Sequence, residues 1–239
     1  MINFSNVKYI FFKELRSYFN SPIAYIVMVV FLVILGWFFT SNLFLLNLSS
    51  LRVLFEMTPF ILLFFAPAIT MRLISEEKKS GTLELLLTKP VKEHEIILGK
   101  FASAWVLFAL TLVPTLSFYI TVSILGELDI GPVIGGYAGL LLVGAVFIAV
   151  SIFGSALTEN QVVAFIVSFL IVFGLFMLDK ILFYVPSWLT SPLEYLSIDY
   201  HFSNIARGVI DTRDLIYYFS TIGFSLLLST VVLQQRRWS

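Results

Sequence analysis

Glu76-Glu77-Lys78-Lys79-Ser80-Gly81-Thr82-Leu83-Glu84-Leu85-Leu86-Leu87-Thr88-Lys89-Pro90 is the stretch that decides how this chain is read. It lies within residues 72–100, the one long charged segment between two apolar runs that can each cross a bilayer. That segment holds six of the fifteen Lys and Arg residues. Gly81 can end the preceding helix in the left-handed conformation. Thr82 can then cap a new helix by accepting a hydrogen bond from the amide of Glu84 or Leu85, and Pro90 keeps that helix short. The spacing predicts one to two turns over Thr82–Leu87. Leu83, Leu86 and Leu87 share one face, Glu84 and Thr88 point away, and Leu85 is left on the polar side. An apolar side chain beside a carboxylate on a charged loop is a docking knob for another protein. The plainer reading is a hairpin linker with one helical turn, since single exposed leucines are ordinary.

Composition sets the class around this stretch. Hydrophobic residues make up 59% of the 239 and charged residues 13%, against about 25% charged in soluble domains. The expectation is an all-α integral membrane protein forming a single transmembrane domain over 1–239, with no room for a separate soluble enzyme. A net charge of zero and the lack of a basic cluster away from the membrane flanks give no sign of nucleic acid as a partner. Without cysteine there are no disulfides and no thiolate metal sites.

Six spans are expected, at about 22–40, 53–71, 101–125, 130–157, 162–178 and 215–233. Residues 4–20 precede them as an amphipathic interfacial helix, with Phe4, Val7, Phe11, Leu15 and Tyr18 on one face and Lys13, Arg16 and Asn20 on the other. Ser21 and Pro22 read as the N-cap and first residue of the first span. The second span carries Pro59 and Pro67, which favour kinks and freed carbonyls. Its head holds Arg52 and Glu56, spaced to pair. These four residues mark the mouth of a pathway, with snorkelling at a helix end as the plainer account of the two charges. Pro114 interrupts the third span. Gly131, Gly135 and Gly139, followed by Ala145 and Ala149, allow close approach of a neighbouring helix to the fourth. Residues 179–214 form the long loop on the far side, where aromatic and polar residues mix as in interfacial or re-entrant segments.

Eleven Lys and Arg flank the spans on one side and four on the other. The 72–100 loop and both termini are therefore expected in the cytoplasm.

Several chemistries are excluded by spacing. His94-Glu95-Ile96-Ile97-Leu98 begins like a zinc-protease helix but has leucine where the second imidazole belongs. Gly99-Lys100 matches the end of a phosphate-binding loop, yet His94 and Phe101 stand at its other required positions. His201 with Asp199 could be offered as a metal pair, but a solvated loop is the expected setting. No acid or base lies deep within a span, which argues against ion-coupled transport and for movement driven from outside the membrane.

The quoted stretch, together with Pro90-Val91 and Gly99-Lys100-Phe101, resembles the signature of ABC-2 type transporter permeases. Lys13-Glu14-Leu15-Arg16-Ser17-Tyr18-Phe19-Asn20-Ser21-Pro22 is similar to their elbow helix and first span. Tyr200-His201-Phe202, Arg207-Gly208-Val209-Ile210-Asp211 and Arg236-Arg237-Trp238 are similar to their last third. The likeness covers nearly the whole chain and is nearest to permeases of gliding-motility and nitrous-oxide-reductase maturation systems. It implies a non-catalytic six-span subunit of the bacterial cytoplasmic membrane that pairs with a second permease protomer and docks on cytoplasmic ATPase subunits, which hold the ATP and magnesium. An accessory membrane or periplasmic subunit is a further partner the likeness allows. It also implies that residues 4–20 are the elbow, that Gly81, Thr82, Leu83, Glu84, Leu85, Leu86 and Leu87 form the coupling helix, and that the second and fifth spans line the path. Export is the expected direction. A membrane scaffold for an ATPase-driven surface machine, without a transported substrate, is the alternative.

Overall fold

A computed structural model describes residues 3–45, 50–88, 90–126, 128–184, 186–209 and 211–237. The side chains of Leu85, Leu87, Phe183, Arg236 and Arg237 and of residues 187–189 are not among those described, so the facial placement of Leu85 and Leu87 lies outside the described residues. Lys89, Glu127, Val185, Ile210 and Trp238 lie outside them entirely.

Every regular element among the described residues is helical. Six helices are long and apolar enough to cross a membrane, as an all-α integral membrane protein requires. Helix α1 covers Phe4–Asn20, α2 Pro22–Leu45, α3 Arg52–Lys79 and α4 Thr82–Leu87. Helix α5, Glu93–Leu112, passes through a 3-10 turn at Val113–Thr115 into α6, Leu116–Leu125. The break falls where Pro114 has no amide to donate. Helix α7 is Ile130–Leu157, α8 Gln161–Ile181, α9 Ser187–Leu196, α10 Ile198–Ala206 and α11 Thr212–Arg237. Side-chain caps mark several starts: Asn3 accepts from the Ser5 amide at 3.1 Å and Asn160 from the Val162 amide at 2.9 Å.

Helix α7 is the core element, packed by α3, α5, α8, α10 and α11. Its small residues set the approach distances. A Cβ at Gly144 would overlap the Phe108 ring, one at Gly136 the Phe55 ring, and one at Gly154 the Ser168 side chain. Helix α3 lies against α7 along its length and crosses both prolines without a break. Near its end Ser155 of α7 donates to the Met71 carbonyl at 2.9 Å and accepts from the Ile74 and Ser75 amides at 3.3 Å, so one hydroxyl pins the two helices together. Helix α2 is more peripheral, held by contacts such as Phe31 on Phe65 and Phe39 stacked on Phe118.

The glycine stripe has an unexpected partner. Positions 135 and 139 face α10, which is not one of the long helices. A Cβ at Gly135 would run into the Ile205 carbonyl and one at Gly139 would crowd Phe202. Gly208, with φ of 85°, brings its own backbone against Gly131. The segment that carries α10 is therefore partly a packed wall against α7.

Candidate functional site

At the end of α3 the chain makes the expected stop and restart. Gly81 adopts φ of 69°, its amide bonds the Lys78 carbonyl at 3.2 Å, and α4 begins at the next residue. The expected Thr82 cap is not formed. Gly81 itself holds the cap position, so Thr82 is already the first helical residue and its hydroxyl turns back, 2.9 Å from Ser80 Oγ and 3.4 Å from the Glu77 carbonyl. Leu83 is buried, Leu86 is half-buried, and Thr82, Glu84 and Thr88 are exposed. One face of α4 is thus docked on the bundle while Glu84 points outward.

Behind α4 lies a group of charges from three helices, of which Lys100 reads in the sequence as one of the cations of the 72–100 loop. Lys100 is fully buried and reaches Glu14 Oε1 of α1 at 2.9 Å, Glu77 Oε2 of α3 at 2.9 Å and the Leu73 carbonyl at 2.7 Å. Lys13 adds a partly exposed bond to Glu77 at 3.0 Å and approaches Glu14 at 3.3 Å. Burial, the largest single influence, pushes the Glu14 carboxyl up; the Lys100 and Lys13 ammoniums together outweigh it, and the balance lies below its ordinary value. Three helices meet in this tie, and Glu77 stands four residues before Gly81.

Gly99 makes the tie sterically possible: a Cβ there would press on Ile10 and on the Val7 carbonyl of α1. The Gly-Lys pair thus serves to seat α1. Tyr18 of α1 donates to the Ile69 carbonyl at 2.8 Å. Glu95, the residue that imitates a protease general base, instead accepts from the Asn3 amide and the Asn6 side chain, both at 2.8 Å. The Ser21 hydroxyl accepts from Arg72 Nη1 at 3.0 Å. Lys78 donates to the Ala156 carbonyl in the last turn of α7.

The opposite end holds a cavity of about 1220 Å³ between the head of α3, the start of α7, the end of α8 and α10. Arg52 and Glu56 line it and pair at 2.6 Å, both well exposed. Pro59 and Pro67 do not line it; they are buried inside α3, facing the bundle. The cavity's apolar lining includes Phe55, Phe60, Val133, Phe176, Met177 and Phe202. Lys180 lies between two carboxylates, 2.6 Å from Asp199 and 3.1 Å from Asp179.

From this cavity an aromatic seam runs along α3 and α8. Phe60 and Phe64 sit one turn apart, Phe64 meets Phe169 at 4.9 Å, and Phe169 stacks on Phe173 at 5.6 Å and on Phe165 at 6.4 Å. Arg52, Glu56, Phe60 and Phe64 form the exposed stripe of an otherwise largely buried helix.

His201 is not in a solvated loop. It is buried, with Nδ1 2.6 Å from Asp214, Nε2 2.9 Å from the Tyr195 carbonyl, and its ring stacked on Tyr217 at 4.1 Å. The aromatic neighbours from α9 and α11 close over the ring and exclude water. Asp199 is engaged with Lys180 instead, so the suggested metal pair is not assembled.

Six helices long and apolar enough to cross a membrane, gathered around α7, with α1 tied to α3 and α5 and the short α4 following α3, define a polytopic membrane protein. Residues 8–234 match the family model of ABC-2 family transporter proteins, and the chain belongs to that family. It is a permease subunit of an ABC transporter. No curated protein matches the sequence.

Proposed function

We propose that this chain is one protomer of an ABC exporter in a bacterial cytoplasmic membrane, with the α4 end in the cytoplasm. In this reading α4 is the coupling helix. The observation that carries it is the placement of α4 on a left-handed glycine at the end of α3, with Leu83 buried and Glu84 exposed. A partner ATPase, which holds the ATP and magnesium, grips the exposed side. Its motion enters α3 directly, and the Glu14–Lys100–Glu77 tie makes α1 and α5 follow as one body. Helix α3 runs from there to the large cavity at the other end. Two protomers then face each other across their α3–α8 seams, and the cavity with Arg52 and Glu56 on its rim is the exit mouth. The eleven-to-four bias of Lys and Arg supports the orientation. Placement beside the gliding-motility and nitrous-oxide-reductase maturation permeases rests on the sequence motifs.

The test is affinity purification from native membranes in mild detergent, with mass spectrometry of the partners, for wild type and Glu84→Arg. The wild type is expected to bring down a nucleotide-binding ATPase and the variant to lose it. A folded wild type that recovers no ATPase in several detergents removes the reading. An unchanged yield with Glu84→Arg removes α4 from the coupling role.

A further inference from the structure

The mouth cavity has a chemistry of its own. Its walls are aromatic and sulfur-bearing, and Met57 and Tyr200 extend the lining. Such walls hold a flat or bulky apolar body. The charge around them is not balanced. Among the described residues four carboxylates line the cavity, Glu56, Asp129, Asp179 and Asp199. Three cations face them, and two are already engaged, Arg52 by Glu56 and Lys180 by a pair of aspartates. Only Arg207 has no carboxylate partner among the described residues, and it is exposed. The ring faces carry negative charge density and so attract cations. The protein already shows this, since Lys180 Nζ lies 5.9 Å from the Phe176 ring centroid.

We propose that this cavity binds lipophilic organic monocations, with the apolar body on the Phe60 and Phe176 walls and the positive charge beside Glu56 and Asp199. This names the substrate class and rests on the reading of the cavity as the exit mouth. The volume, about 1220 Å³, accommodates a body larger than an amino acid or a simple metabolite, because drug-sized ligands occupy pockets of roughly 300–1,000 Å³. An anionic amphiphile of the same shape would meet excess carboxylate and the wrong face of each ring. The lone Arg207 opposes a bound cation, so its removal should help rather than harm.

The full-length permease in phosphatidylcholine nanodiscs is titrated with radiolabelled tetraphenylphosphonium and, separately, with tetraphenylborate, which has nearly the same shape and the opposite charge. Empty nanodiscs give the background. Saturable binding of the phosphonium is expected, at least about tenfold tighter than any binding of the borate. Asp199→Asn should weaken the phosphonium about three- to tenfold, the scale of one charge at several ångströms in a half-wet site, and Arg207→Ala should tighten it. Opposite signs in two neighbouring variants do not arise from misfolding. Equal or tighter borate binding, the same direction in both variants, or no saturable phosphonium binding overturns the proposal. Each of those results leaves ATPase recovery by the same protein untouched. A failed recovery, conversely, removes the transporter reading without altering the titration.

Discussion

The two ends of the molecule treat charge in opposite ways. At the α4 end Lys100 and Glu14 are withdrawn from solvent and, with the partly buried Glu77, form ion pairs across three helices. At the α10 end Arg52 and Glu56 pair in the open, and Lys180 sits half-exposed between two aspartates. Buried charges of the first kind cannot be rearranged without leaving one uncompensated, so they define a rigid joint. Exposed pairs of the second kind contribute little to stability and are free to exchange a partner for a ligand. In the function proposed above, the first end passes on a displacement and the second receives a solute.

The strongest way to break this contrast is Lys100→Met. Leaving two carboxylates without their buried partner should destabilise the protein by about 3–5 kcal/mol. Limited proteolysis should then cut within residues 4–20, and thermal unfolding should shift down. Adding Glu14→Gln and Glu77→Gln to the same variant should recover much of the loss, because no buried charge is left stranded and Lys13, which loses both carboxylates, is half-exposed. If the triple variant is as unstable as the single one, shape and not charge holds the joint.

Gly135→Leu tests the other end. Its Cβ would collide with the Ile205 carbonyl, which cannot rotate away as a side chain would, and overpacking of this kind costs about 1–3 kcal/mol. Labelling of a cysteine placed at Ala206 should speed up as α10 lifts; an unchanged rate would show that α10 is held elsewhere.

Acid should act on the α4 end more gently. The Glu14 carboxyl sits below its ordinary value, so its contribution is present above that value and is lost as pH falls through the lowered one. Hydrogen exchange in α1 should stay slow down to the ordinary carboxylate range and rise below it. A rise beginning near neutrality would point to another group. The smallest effect belongs to Arg52→Ala, which removes an exposed i to i+4 pair and should leave the thermal midpoint unchanged within error. A clear drop would mean that the pair is part of the frame after all.

What could be read in advance divides along the same line. The stop at Gly81 and the restart at Thr82 are local events, written in four adjacent residues, and the backbone follows them. The use of Thr82 as a cap was read wrongly because Gly81 took that position and shifted the helix start by one. Lys100 looked like one more loop cation because Glu14 stands 86 residues away in the chain. A lysine placed after Gly99 and followed by a long apolar run was the available signal. The glycines at 131, 135 and 139 announced a close neighbour without saying which, since packing partners are chosen by tertiary structure. His201 was read as solvated because Tyr195 and Tyr217, which cover it, come from flanking helices.

Lys78 carries a last consequence. Its ammonium lies on the Ala156 carbonyl, one of the acceptors that a helix leaves unused in its final turn, so α3 completes the terminus of α7. With Lys100 also enclosed, two of the six cations of this loop, all counted in the expectation that it is cytoplasmic, are not on the surface of the folded protein. The electrostatic field that a headgroup layer or a docking partner meets here is therefore drawn from only part of the basic positions that a topology argument counts, and it is weaker than their number suggests.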